Sequence, residues 1–397
     1  MAKEFATPEE LARAVERVEA SFQATGRTLE RLTRERGVRP ILKLIQSAAA
    51  EMERKVARLA PKDETFSAVQ QRAILAQYRA MLLELQPRMT RVLGEASREA
   101  QVESIRAMVS TLALAELEFE GVTTPLPLTQ AARMAGIIDR DRASLLRQHD
   151  VSVRTYGIDS ITAAEKYLGQ SFAVQRSYSE TVAGLFDMVD QSRYRAERIV
   201  RTECSFAWSA AHASALDDAS ELIPGLFRRW VEYVSDTTGA PLDGRVANDS
   251  LVLHGQVAFT PEGATMEARS TFLVGGTGGF EMPRDARVNA KLWGKRYAHP
   301  PNRPNDRSRI VGWKVDWPVP AYMVVNGQRM DVKKALALLT GRDADEARED
   351  AEGIDIPEQP LASEKQVDEA RAGFARERQR RRDEAAAKRA KTRKAKE

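Results

Sequence analysis

Hydrophobic residues recur along the first half of the chain at helical spacing. Leu11, Val15, Val18 and Phe22 lie 4, 3 and 4 residues apart, one apolar stripe on an otherwise charged helix. Its start is legible in Thr7-Pro8-Glu9-Glu10: the threonine can cap, proline fits the first helical position, and Glu10 can reach back to the cap. Gly37 to Pro40 is predicted to break this helix. Further helical patterns run over about 41–59 and 64–119, with Pro61 and Pro87 expected to interrupt them. Ile74, Tyr78, Met81, Leu82 and Leu85 share a face there, and Gln, Arg and Glu fill the others. Such helices need partners, either one another or neighbouring subunits of a homo-oligomer or larger assembly. Gly121 to Leu128 (GVTTPLPL) reads as a linker. Shorter helices are expected at about 128–137 and 160–169, then a long one from about Phe172 to Ala215. Tyr178, Val182, Leu185 and Val189 make its stripe, which Ala196, Val200 and Ala207 extend. Unbroken, it is ~65 Å long at 1.5 Å per residue, with Gly184 a place where it can bend.

After Pro224 and Gly225 the period changes. Phe227 to Ser235 (FRRWVEYVS) reads as a strand with Trp230, Glu232 and Val234 on one side. Asp236-Thr237-Thr238-Gly239 reads as a turn. Residues 245–290 carry little pattern, and Val274 to Phe280 (VGGTGGF) is loop material. The clearest strand has Val311, Trp313, Val315 and Trp317 alternating with Gly312, Lys314 and Asp316, and Pro318 and Pro320 end it. A short helix is expected at about Asp331 to Leu339. The fold class is therefore mainly α with a small α+β module. It comprises a long-helix N-terminal region, a few-stranded, mostly antiparallel sheet at about 226–320, and a disordered basic C-terminal tail. The expected divisions are 1–120 and 121–220 (helical), 221–340 (the module) and 341–397 (the tail).

Composition sharpens this picture in three places. Aromatic residues are only 6% of the chain while Ala, Glu and Arg abound, which favours long helices over a β-rich enzyme. The net charge of +4 is uneven: residues 364–397 hold 13 Lys/Arg against 7 Asp/Glu, so the tail is +6 and the rest about −2. Cys204 is the one cysteine, so neither an internal disulfide nor a multi-cysteine zinc site can form, which fits a reducing cytoplasm. The charged N-terminus lacks the apolar core of a signal peptide, and no run of 18 apolar residues occurs, so no membrane segment is expected.

Catalytic signatures mostly fail. There is no GxxxxGK[ST], HExxH or GxSxG, and His149, His212, His254 and His299 are scattered, so no metal and no cofactor are expected. Arg201, with Arg269-Ser270-Thr271, has a faint likeness to the arginine and serine–threonine elements of ADP-ribosyltransferases. The Glu-x-Glu required afterwards is missing; Glu51-Met52-Glu53 and Glu116-Leu117-Glu118 come too early and in helices. Arg201-Thr202-Glu203 says more. Glu203 falls beside Ile199, Val200 and Ala207 on the long helix, and a carboxylate there needs a partner. An arginine or backbone N–H groups of the β-module are candidates, with a helix-edge glutamate reaching water as the plain alternative.

Taken in order, Arg201-Thr202-Glu203, Trp230, Asp236, Leu242-Asp243-Gly244, Pro300-Pro301, Pro304-Asn305 and Arg307, ahead of a strand with Trp313, make a set. That set resembles the phage head-morphogenesis family of minor capsid proteins, over about 195–320. The chain departs from the family where Asn305-Asp306-Arg307-Ser308 replaces Asn-Cys-Arg-Cys. It departs again where Ala240-Pro241 stands in place of a histidine before Leu-Asp-Gly. Those departures remove the cysteines and the histidine that could support chemistry. Turn residues, prolines and an arginine that can bridge carboxylates remain, so Arg307 is expected to pair with Glu203 or Asp243 and lock the module to the long helix.

The resemblance implies a structural minor head protein of a phage or prophage, not an enzyme, assembled in the host cytoplasm and resident in the virion. Its partners would be the portal protein and major capsid or scaffold subunits near the portal vertex. The tail residues Arg380, Arg381, Arg382, Lys388, Arg389, Lys391, Arg393 and Lys394 are candidates for non-specific contact with packaged DNA or an acidic partner. Without aromatic residues among them, base stacking is not expected. A solvated helix end is the plain alternative. The competing functions are a nucleotide-using transferase of the ADP-ribosyl type, acting through Arg201 and Ser270, and a helical adaptor of the cytoplasm.

Overall fold

A computed structural model of the chain describes residues 5, 7–60, 66–232, 234, 241, 251, 253–259, 272–273, 296–301, 308–319, 321–325 and 328–340. In the tail it describes 369, 372–373, 375–377, 379–380 and 383. The molecule is mainly α with a small antiparallel sheet.

Helix α1 (Pro8–Leu32) starts as its sequence dictates, with the Thr7 hydroxyl accepting from the Glu10 N–H at 3.2 Å. It does not break at Gly37. The chain passes through a π-helical turn, Thr33–Val38, straight into α2 (Arg39–Ala57). A Cβ on Gly37 would overlap Val200, so the glycine permits close packing there, and Pro40 follows directly on the π-helical turn, whose last bond runs from the Arg39 N–H to the Arg34 carbonyl.

Helix α3 (Ala68–Glu120) opens on a Ser67/Gln70 capping box and runs through Pro87 without interruption. Tyr78, Met81, Leu82, Leu85, Met89 and Leu93 are buried on both sides of the proline, and that burial outweighs the one backbone bond it removes. Gly121, at φ 71°, ends the helix, and Thr124 of the predicted linker bonds back to Glu116 through its N–H (2.7 Å) and hydroxyl (2.8 Å).

After a short 3₁₀ turn at Pro127–Thr129 comes α4 (Ala131–Ala173), one helix in place of the two short ones predicted. Its buried face includes His149 and Ser160 among Leu145, Val153, Tyr156 and Ala164, and these polar members hide the stripe from a hydrophobic count. Helix α5 (Tyr178–Ser220) is the predicted long helix, capped by Ser177 and Glu180. Ser97 of α3 meets His149 of α4, and Gly157 lies against Gln86, so these two helices are antiparallel. Ser152 of α4 meets Glu203 of α5, and Tyr156 meets Ser192, so the next pair is antiparallel too.

Gly225, at φ 73°, turns the chain from α5 directly into β1 (Leu226–Val231). The other strands are β2 (Val257–Phe259), β3 (Phe272–Leu273), β4 (Arg296–Tyr297), β5 (Arg309–Lys314), β6 (Met323–Val325) and β7 (Gln328–Met330), with α6 (Val332–Thr340) last. The main sheet is antiparallel in the order β2–β1–β5, with Trp230 opposite Ile310 and Phe227 opposite Trp313. Both long strands are shorter than predicted: β1 stops at Val231, with Val234 forming only a bridge to Pro241, and β5 stops at Lys314. All six residues of β1 are buried, because helices cover both of its faces. Arg228 reaches α5 and its neighbour Arg229 reaches α1.

One apolar core joins the sheet to α1, the C-terminal half of α3, the start of α4 and the end of α5. A second lies among α2 and the remaining halves of α3, α4 and α5. Among the described residues, no helix is long and apolar enough to cross a membrane.

Candidate functional site

The sheet meets the helices through buried polar side chains. Glu19 and Gln23 stand one turn apart on α1. Arg229 Nη1 lies 2.9 Å from Glu19 Oε1, the two side chains being 2% and 9% exposed. Arg309 Nη2 donates to Gln23 Oε1 at 2.7 Å, and Gln23 Nε2 donates to the Glu232 carbonyl at 3.2 Å. The Glu232 carboxylate accepts from Trp230 Nε1 (2.7 Å) and from the Ser308 hydroxyl, and its N–H donates to His254 Nδ1 at 3.1 Å. Arg228 pairs with Asp217 on α5. At the end of α3, Glu120 receives Trp317 Nε1 at 2.7 Å and Lys314 Nζ at 2.6 Å. The Arg309 guanidinium crosses α1 at Gly26, where a Cβ would overlap it.

Burial, assisted by these arginines, sets the state of nearby histidines. Burial first, then the charges of Arg309 and Arg228, bring His212 down to about 3. Burial with Arg229 and Arg309 brings His254 to about 3 as well. Both rings are neutral at pH 7. The Ser104 hydroxyl donates to the Trp208 carbonyl at 2.7 Å, so His212 carries its proton on Nδ1, 3.1 Å from Ser104.

Arg201 and Glu203, neighbours in one motif, have partners among the helices. Arg201 pairs with Glu197 at 2.8 Å and Glu30 at 3.7 Å. Glu203 is buried, and its Oε1 accepts from the Ser152 hydroxyl of α4 at 2.7 Å. Burial raises its carboxyl above the usual range, against hydrogen bonds from Ser152 and Gln148. Trp230 and Trp313 are buried in the sheet as expected. Asp236, Asp243, Gly244, Ser270, Pro304, Asn305 and Arg307 lie outside the described residues, and so do the predicted pairings of Arg307 with Glu203 or Asp243. Of the tail cations, Arg380 is helical, exposed and paired with Glu377 at 2.8 Å. Arg381, Arg382, Lys388, Arg389, Lys391, Arg393 and Lys394 also lie outside the described residues.

Around Glu203 the bundle holds a second polar cluster. His149 Nε2 is 3.1 Å from Ser97 Oγ and 3.8 Å from Glu203 Oε2. A catalytic serine–histidine–carboxylate relay needs its hydroxyl and carboxylate on opposite ring nitrogens, whereas here both approach Nε2. Burial lowers His149 to about 4, so its ring is neutral, and pushes the Cys204 thiol beside Thr33 and Ser97 up to about 12. This cluster therefore holds neither a base-activated serine nor a thiolate at pH 7. On its outer side a cleft of about 650 Å³ opens between α3 and α4. No group of three or more potential metal ligands gathers among the described residues.

Sequence reasoning missed Glu19, Gln23, Arg229 and Arg309. One signal was available: two adjacent arginines inside Phe227-Arg228-Arg229-Trp230 must face opposite sides of a strand, so a sheet covered on both faces buries both. No family model, no curated protein and no solved structure matches the chain.

Proposed function

We propose that the protein is a structural minor head protein of a phage or prophage, joining the capsid near the portal vertex during head assembly and catalysing no reaction. The junction between the sheet and α1 and α5 carries this reading. Glu19 is occupied by Arg229, Gln23 by Arg309 and the Glu232 carbonyl, Arg228 by Asp217 and the Glu232 carboxylate by Ser308, as architecture demands and turnover does not. The ordered likeness from Arg201 to Trp313 supplies the family, and a body of three antiparallel helices supplies long faces for portal, capsid or scaffold subunits. The basic tail is the element available to packaged DNA. The protein would be made in the host cytoplasm and reside in the virion.

Quantitative mass spectrometry of purified particles tests this. The expected result is the chain at a fixed copy number well below that of the major capsid protein. Its absence from particles, or an NAD-dependent modification of a target that Arg201→Ala abolishes, would overturn the proposal.

A further inference from the structure

Beside the Ser97–His149 contact, α3 and α4 leave a cleft on their outer side, lined by residues between Gln86 and Gln101 and between Ile138 and Arg154. The cavity left, about 650 Å³, falls within the range of small-molecule sites. Ile138, Leu145 and Val153 give it an apolar lining, and all three are buried. Two polar residues line it as well: Gln101, 4% exposed, and His149, 1% exposed. Gln101 Nε2 and His149 Nδ1 have no hydrogen-bond partner among the described residues. Buried polar atoms in that condition are uncommon in folded proteins and call for an explanation.

The rim adds charge of a particular kind. On α4, Arg142 is held by Asp139 at 3.5 Å and Arg154 by Asp150 at 2.6 Å. Across the cleft on α3, Arg91 and Arg98 are exposed and make no ion pair among the described residues. Four arginines (91, 98, 142, 154) against three acids (Glu95, Asp139, Asp150) leave +1, with His149 neutral. A single surplus charge over an apolar floor suits a monoanion with an apolar body, and disfavours a phosphate carrying two charges. We propose that this cleft binds a small amphiphilic carboxylate, an acyl or aromatic acid. Its carboxylate pairs with Arg91 and Arg98 in charge-assisted hydrogen bonds, and its body covers Ile138, Leu145 and Val153.

The site is independent of the assembly proposal, since a chain absent from particles can still bind such a ligand, and a virion protein can fail to. Calorimetric titration of the full chain with decanoate, and with decanol as the uncharged counterpart, tests it. Decanoate is expected to bind saturably at one site and at least about tenfold more tightly than decanol. R91Q/R98Q, on exposed side chains, is expected to remove that preference with thermal unfolding unchanged. Leu146→Glu, a charge placed on an exposed lining residue, is expected to weaken decanoate by a similar factor. Non-saturable binding, equal affinity for decanol, or decanoate affinity indifferent to both variants would overturn the proposal.

Discussion

Glu19 and Arg229 meet at 2.9 Å in a setting almost without water, and such a pair responds unequally to its removal. Glu19→Ala deprives a buried guanidinium of its α1 carboxylate and is expected to cost about 3 kcal/mol or more, whereas Glu19→Leu with Arg229→Met recovers most of the loss. A double-mutant cycle by urea unfolding reads this directly. If the single variants add, the pair is not coupled. At Gly26, alanine would gain about 1 kcal/mol of helix propensity but displace the Arg309 guanidinium. The expected net effect is a loss of about 1–3 kcal/mol, relieved in the background of Arg309→Ala.

His149 gives a pH dependence of definite sign. The unfolded chain takes up this proton near pH 6.5 and the folded chain only near 4. The stability it contributes is complete above pH 6.5 and is lost as pH falls through that window. His212 acts in the same sense. Glu203 opposes them, because its raised carboxyl favours the fold most at low pH and less as pH rises. His149→Gln is therefore expected to reduce the stability lost between pH 6.5 and 4 by roughly 1–3 kcal/mol, measured by urea unfolding at several pH values. None of these residues was marked by the sequence except Glu203. Periodicity put it on the buried side but could not say which helix faced it.

Elements were more legible than their boundaries. The cap at Thr7, the linker after Gly121, the long helix and the strand around Trp313 follow from local chemistry. Pro87 and the Gly37–Pro40 pair misled because a local rule was outvoted by burial on both sides of each. Helix α4 was divided in two because its buried stripe runs through His149 and Ser160. Pro87 itself is exposed and still lacks its backbone bond. Pro87→Ala is accordingly expected to stabilise the protein by about 2 kcal/mol, seen as a rise in Tm, and a fall in Tm would mean the proline shapes α3 in a way the packing needs.

At the scale of the whole molecule, fold class was readable from composition and period, but the way sheet and helices join was not. Glu19 and Gln23 are far from Arg229, Glu232 and Arg309 in sequence, and only the folded chain brings them together. A structural role in a particle requires that sheet and helices behave as one body, with the polar junction as the join. Amide hydrogen exchange on the full chain measures this most directly. The account predicts that β1 and the Glu19–Gly26 segment of α1 open with the same free energy as the C-terminal half of α5, within about 1 kcal/mol, and that Glu19→Ala lowers all three together. Exchange of β1 well ahead of α5, unchanged by Glu19→Ala, would contradict it.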